Sequence, residues 1–491
     1  MSRRTRYRVS GNKSLPVKKK ILASLVMGFL LRAAAPQAGA QSAVPVAAPV
    51  AATLPAAEIT ILLKPVAAIS PLLYGVNYTW HTVPAERFPA WHRAMSTVAH
   101  YTLVQYPGGW NPEHFDWTAN SMPAWHNPKN SSGFDPLTNQ PGIAPEGLLA
   151  VVPAANFVTP SQPAVLDSAA IPGLVATSVE LARKYGARVK LWDIGNEWWI
   201  QRGGQKIPAI RKQNLRNYSA LVAAVAPAMK AANPSIQLYA NGDWQNLAEF
   251  TTMRQLVGPE AWAQLDGIAI HTYCNGQDAP VSSVPMVVEK LRQITGKQRV
   301  FDSQWMITQK GFTDNYGIRN ANRLVLGFQA LAFARIEAAI IWPVTDFVPA
   351  LNFVSPDYAT PYAPGLLFGW LSQYYQGQAL RTEGDLPAAA AKSERGITVF
   401  VPSCGDGPQR VSLRLADTGP LCVVSAKVMY SDQPGDRLKS RLVRIVDLPT
   451  AVAEGPPGPA VVFTLNPGGP NRGTGWEIVR LTLHEGGSLT P

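Results

Sequence analysis

The sequence predicts an α/β fold: a closed barrel of eight parallel strands with crossover helices, (β/α)8, followed by an antiparallel β-sandwich domain. Three observations predict it. The chain has 491 residues, too long for one ordinary domain and suited to a large barrel plus a smaller one. Strand-like apolar runs alternate with amphipathic, helix-like runs through the first three quarters of the chain. From about Leu380 the helical period stops, and short apolar or alternating runs follow, separated by Gly, Pro and Asp turns.

Taken in order, residues 1–40 read as an export signal. A basic stretch leads into the apolar run Ile21–Leu31, and Ala38-Gly39-Ala40 forms a small-x-small cleavage site before Gln41. The run is too short for a stable membrane anchor, so no membrane insertion is expected after cleavage. The expected location is the periplasm or the medium. Residues 41–56, rich in Ala, Pro and Val, read as a disordered linker. Residues 57–66 are expected to form a strand that joins the C-terminal sandwich. The barrel is expected over 67–379 and the sandwich over 380–491.

The eight barrel strands are predicted at Leu72–Tyr78, Thr102–Tyr106, Leu148–Asn156, Arg188–Gly195, Ile236–Asn241, Gly267–His271, Arg299–Trp305 and Ala338–Val344. Helical periodicity marks Leu174–Tyr185, Leu215–Ala232, Val284–Ile294 and Arg319–Arg335. A long insertion, Asn111–Ala144, rich in Trp, Asn, Pro and Gly, is expected to loop over one face. Sandwich strands are predicted at Ile397–Val401, Val411–Leu415, Val423–Met429, Ala460–Leu465 and Trp476–Leu483.

Charge excludes one class of partner. The formal net charge is +12, but nine Lys and Arg and no acid lie within residues 1–40, which leaves +3. Nothing then calls for nucleic acid. The seven His and three Cys show no metal-ligand spacing, and no cofactor is implied. Cys404 and Cys422 could pair in an exported protein. Fourteen Trp fit sugar stacking as well as core filling.

In a barrel of this kind the active site lies at the C-terminal ends of the strands. The fourth strand ends Trp192-Asp193-Ile194-Gly195-Asn196-Glu197-Trp198-Trp199. A carboxyl among aromatics at a strand end suits general acid/base work, and the neighbouring Asn196 can hold a sugar hydroxyl. Several segments resemble clan A glycoside hydrolases, most of all the family 51 arabinofuranosidases, with some likeness to the heparanase-type family. They are Leu73-Tyr74-Gly75-Val76-Asn77, Tyr106-Pro107-Gly108-Gly109-Trp110 with Phe115-Asp116-Trp117, Gly195-Asn196-Glu197, and Ile270-His271-Thr272-Tyr273.

The resemblance implies a retaining mechanism, with Glu197 as acid/base and a second Glu at the seventh strand end as nucleophile. This chain has Phe301-Asp302-Ser303-Gln304-Trp305, so Gln304 stands at the nucleophile position. A carboxamide oxygen is a poor nucleophile and gives no negative charge to an oxocarbenium-like transition state. The family's second-strand Arg is here Gln105. An Arg left beside a neutral partner would cost on the order of 3–5 kcal/mol, so losing both charges together is coherent, and the two amides are expected to hydrogen-bond each other.

Asp302, two residues before Gln304, is expected on the same side of the strand; Asp243 and Asp346 lie near the rim. Any of these could act as the base of an inverting reaction, and an N-acetyl sugar could assist its own cleavage. His271 and Tyr273 are expected to orient position 304 and touch substrate. Asn77, Trp110, Asn156 and Trp342, with Trp80 and Trp244, are expected to form a sugar-contacting rim. Three functions stay open: a glycoside hydrolase with altered chemistry acting on an oligo- or polysaccharide, a non-catalytic carbohydrate-binding pseudo-hydrolase, and a purely structural cell-surface protein, against which the Trp-rich strand ends count.

Overall fold

The computed structural model describes residues 54–78, 85–105, 108, 147–154, 166, 168–275, 281–308, 317–342, 344–345, 352–405, 407–416, 421–434, 438–454, 458–466 and 475–485. Residues 1–53, which hold the export segment and most of the linker, the whole 111–144 insertion, and Trp80, Trp110, Asn156 and Asp346 lie outside them. Among the described residues no helix is long and apolar enough to cross a membrane.

The chain enters through β1 (Ala56–Ala68) and then builds the barrel. Its strands are β2 (Gly75–Asn77), β3 (Leu103–Gln105), β4 (Leu148–Val152), β5 (Leu191–Ile194), β6 (Gln237–Gly242), β7 (Gly267–Asn275), β8 (Arg299–Thr308) and β9 (Ala338–Ile341). All eight predicted strands are present. They pair in parallel in sequence order, and β9 closes on β2. The helices between them are α1 (Phe88–Ala99), α2 (Ile171–Tyr185), α3 (Pro208–Ala232), α4 (Leu247–Val257), α5 (Pro259–Ala263), α6 (Val284–Thr295) and α7 (Gly317–Phe333); α8 (Ala363–Tyr374) follows the barrel. Six of these helices, α1, α2, α3, α5, α6 and α8, carry Pro in the first turn, where its missing N–H has no intrahelical partner to lose.

The barrel is filled rather than hollow. Leu103, Leu149, Leu191, Tyr239, Ala269, Phe301, Ala338 and Ile340 form a buried interior cluster. This layer is a floor. Because side chains on a strand alternate with period two, the next inward position lies two residues further along each strand. That rule carries Leu103 to Gln105, Leu191 to Asp193, Tyr239 to Asn241 and Ala269 to His271. All four of these polar residues are at most 3% exposed, so an apolar floor supports a buried polar layer at the C-terminal ends.

On β8 the rule breaks. β7 pairs with β8 as Ile270↔Asp302 and then His271↔Gln304, which leaves Ser303 as the extra residue of a β-bulge. The insertion shifts the facing by one position. Phe301 faces the interior floor, Gln304 lies beside His271, and Asp302 is turned away from the site. Its carboxylate accepts from the Thr272 N–H at 3.2 Å and from the Thr272 hydroxyl. The expectation that Asp302 shares a side with Gln304 is therefore corrected.

The remaining strands are β10 (Gln378–Gly384), β11 (Ala389–Ser393), β12 (Gly396–Gly405), β13 (Gln409–Leu415), β14 (Leu421–Tyr430), β15 (Arg444–Asp447), β16 (Thr450–Ala453), β17 (Ala460–Leu465) and β18 (Gly475–Glu485). With β1 they make one ten-stranded sheet, in the order β15-β14-β18-β12-β11-β10-β1-β13-β17-β16. It is antiparallel except where β1 runs parallel to β13, and it wraps its own apolar core, including Ile59, Ile61, Val399, Leu413, Phe463 and Leu481.

Contacts with α7 and α8 fix the sheet to the barrel. Asn322 Nδ2 donates to the Ser403 and Glu477 carbonyls, 2.9 Å each, and Arg480 lies over the rings of Trp370 and Tyr374. Cys404 and Cys422 do not pair. They oppose Trp476 and His484 on either side of β18, about 26 Å apart along the strand, far beyond a disulfide's reach.

Candidate active site

Gly195 (φ 74°) ends β5 with a turn that only glycine makes freely, and Glu197 itself is left-handed at φ 50°. A non-glycine residue there is strained and persists when its surroundings hold it. Asn241 at the end of β6 supplies the hold: the Glu197 N–H donates to Asn241 Oδ1 at 3.0 Å. The Asn241 backbone is itself pinned. Its N–H donates to the Tyr218 hydroxyl (2.6 Å), and its carbonyl accepts from Trp198 Nε1 (2.8 Å).

That bond also settles the histidine. With Oδ1 turned to Glu197, Asn241 presents Nδ2 to Asp193 Oδ2 and to His271 Nε2, 3.3 Å each. A donor facing Nε2 leaves the ring proton on Nδ1, and Nδ1 donates to Glu197 Oε1 at 2.9 Å. The carboxylate is thereby oriented through one oxygen. Oε2 has no protein partner among the described residues, and it is the oxygen that can hold or deliver a proton.

Gln304 is 3% exposed and is held at both amide atoms. The Tyr273 hydroxyl donates to Oε1 at 2.9 Å, and Nε2 donates to Asn196 Oδ1 at 3.1 Å. Burial above all, then the Glu197 and Asp302 carboxyls, push the Tyr273 phenol well above the usual tyrosine range, so it stays a donor. The two glutamines do not bond each other. Gln105 accepts from Asn77 Nδ2 at 2.5 Å, across the neighbouring pair of β2 and β3, and Asn77 therefore serves the buried layer.

Glu197, Trp199, Asp243, Trp244, His271, Tyr273, Gln304 and Trp342 all line one cavity of about 590 Å3, with Gln205, Arg211, Gln245 and Asn246 among the rest of its wall. That volume suits a ligand of a few sugar rings' size. Of the predicted site residues, Glu197, His271, Tyr273, Gln304 and Trp342 line it; Asn196 reaches it through Gln304, and Asn77 does not. Trp110 and Asn156 lie outside the described residues.

Three contributors were not singled out in the sequence. Asn241 could have been found from its position two residues after the interior Tyr239. Trp199 is the second Trp of the quoted Asn-Glu-Trp-Trp run. Arg211, in the first turn of α3, has no local signal: its role depends on Asp243 and Glu249, distant in sequence. Its Nε and Nη2 donate to Glu249 at 2.6 and 2.7 Å, and Nη2 also donates to Asp243 Oδ2 at 2.7 Å. Asp243 further accepts from Gln245 N–H (3.0 Å) and Asn246 Nδ2 (2.7 Å). Among the described residues no group of His, Cys, Asp and Glu is placed to hold a metal ion.

No family model matches the sequence, and no curated protein is similar to it at a significant level. Solved structures are similar. A family 51 α-L-arabinofuranosidase from Bifidobacterium longum superposes with a TM-score of 0.57 at 16% identity, covering 86% of this chain and 99% of that one. A family 51 arabinofuranosidase from Xanthomonas axonopodis pv. citri gives 0.58 at 14%, covering 88% and 100%. A family 44 xyloglucanase from Paenibacillus polymyxa gives 0.55 at 12%, covering 88% and 100%. At these identities the likeness is one of fold, and by fold this chain is similar to the glycoside hydrolases of families 51 and 44.

Proposed function

We propose that this chain is an exported carbohydrate-binding protein built on a glycoside-hydrolase barrel, whose cleft holds an oligo- or polysaccharide without retaining hydrolysis. One observation carries the reading: the Gln304 amide is buried and bonded at both ends, by Tyr273 and Asn196, and no described carboxylate replaces it. Asp302 is turned away by the bulge. Asp243 lines the cavity, but its oxygens are taken by Arg211, Gln245 and Asn246. The aromatic side chains on the cavity wall support a sugar ligand, because a pyranose C–H face packs well on a large apolar ring. The basic and apolar segment within residues 1–40 supports export.

A retaining enzyme needs two carboxyl groups, one to form the glycosyl-enzyme and one to move the proton. Here Glu197, oriented by His271, retains the acid/base position, and an amide holds the other. An inverting reaction, with Asp243 activating water, is the second reading, because Asp243 lines the same cavity. The test is calorimetric glycan binding by the mature protein beside turnover of activated aryl glycosides, α-L-arabinofuranosides first. Binding without turnover is expected. Turnover with inverted product stereochemistry, abolished by Asp243→Asn, would replace this reading with the second.

A further inference from the structure

The charge on the cavity wall is one-sided. Glu197 and Asp243 line it, and the one cation among its described lining residues is Arg211. Its charge is already shared between Glu249 and Asp243, which accept three hydrogen bonds from Nε and Nη2 at 2.6–2.7 Å. On the described wall two formal negative charges face one positive, and Glu249, which does not line the cavity, adds a third beside Arg211. This is local, since the chain beyond residue 40 carries a net +3.

On the cavity wall, Glu197 Oε2 is the carboxylate oxygen without a protein partner among the described residues, and Trp199, Tyr273 and Trp342 line the same cavity. The Trp199 ring packs edge-on against His271 at 5.4 Å, and Tyr273 does the same against Trp342 at 6.2 Å. A carboxylate beside aromatic faces is the chemistry that recognises an ammonium group: the charge pairs with the carboxylate, and the ring quadrupole attracts the cation. A uronate would meet the Glu197 carboxylate, while the one described cation on the wall is already shared by Asp243 and Glu249, and like-charge contacts of this kind reject a ligand.

We infer that the cleft selects glycans bearing free amines, such as de-N-acetylated hexosamine oligomers, over neutral and uronate-bearing ones. This rests on the carbohydrate-binding reading above.

The test is calorimetric titration of the mature protein with four probes of matched length: a glucosamine oligomer, its N-acetylated counterpart, a neutral arabino-oligosaccharide and an oligogalacturonate. The glucosamine oligomer is expected to bind at least about tenfold more tightly than the others, an advantage of about 1.4 kcal/mol. That margin should shrink as salt rises from about 0.05 to 0.5 M, since screening weakens charge pairing, and Glu197→Gln should shrink it too. The salt series on wild type keeps the test independent of the variant's folding. Equal or tighter binding of the acetylated or neutral oligomer overturns this inference and leaves carbohydrate binding standing; so does tight binding of the oligogalacturonate. Failure of all four probes overturns both.

Discussion

Replacing Asn241 by alanine removes a side chain that bonds Glu197, His271 and Asp193 together. Asn241 is fully buried, and its amide accepts from the Glu197 N–H and donates to His271 Nε2. Alanine leaves both groups without these partners in a buried setting. Each buried polar group left unsatisfied costs about 1–3 kcal/mol. Glu197 would also keep its left-handed conformation with less to hold it. A loss of about 3–4 kcal/mol is expected, a large share of a typical domain's about 5–15 kcal/mol.

Urea denaturation followed by tryptophan fluorescence measures it. Nitrogen NMR of His271 supplies a readout that a general packing defect would not move: the Nδ1–H tautomer should lose its dominance, because nothing then donates to Nε2. Asn241→Asp keeps an acceptor for Glu197 but faces His271 Nε2 and Asp193 with an oxygen, so it should not rescue the tautomer at neutral pH. A change under about 1 kcal/mol with the tautomer intact in Asn241→Ala would refute the reasoning.

Three further predictions follow from the same geometry. Burial holds the Asp302 carboxyl well above the usual carboxylate range, against the pull of its two bonds from Thr272. The folded state thus binds this proton more tightly than the unfolded chain does. Its stabilising contribution is full below about 3.8, the ordinary value, and is lost as pH rises through the raised folded value. Asp302→Asn, which can still accept from the Thr272 N–H, should flatten that slope and be at least as stable as wild type at pH 8; a slope unchanged between pH 4 and 8 would contradict the assignment. Tyr273→Phe leaves Gln304 Oε1 without its donor in a buried setting, so a loss of about 1–3 kcal/mol in denaturation is expected. Trp342→Ala should weaken glycan binding about tenfold with little change in unfolding midpoint, because the ring is half-buried on the cavity wall.

The barrel was legible because its strands are short apolar runs and several of its helices carry a clear period. The helices α1, α4, α5 and α8 were not predicted. In α8 the run Ala363–Tyr374 is apolar nearly all round, so it shows no stripe. The two edge strands β15 and β16, at opposite ends of the sheet, were not predicted for the opposite reason: β15 is exposed along its whole length and β16 is at most half-buried, so neither alternates. The strand ends were read short at β7 and β8, which continue to Asn275 and Thr308.

That region also held the largest error. A bulge of one residue leaves Phe301-Asp302-Ser303-Gln304-Trp305 looking like a regular strand, yet it decides that Gln304 faces the site and Asp302 does not. Gln304 and Glu197 were legible because each sits at a strand end within a motif. The Arg211–Asp243–Glu249 cluster was not, because it joins α3 to the segment after β6 and to α4 and exists only in three dimensions.

The most direct test of the account is a search for a glycosyl-enzyme. Mature wild type and Gln304→Glu with Gln105→Arg would be incubated with activated 2-fluoro glycosides, α-L-arabinofuranosyl first, and their intact masses measured. The account predicts no adduct on wild type even at concentrations where glycan binds, because position 304 offers an amide to the anomeric carbon. A stable adduct on wild type that maps to any residue of the cavity would contradict it.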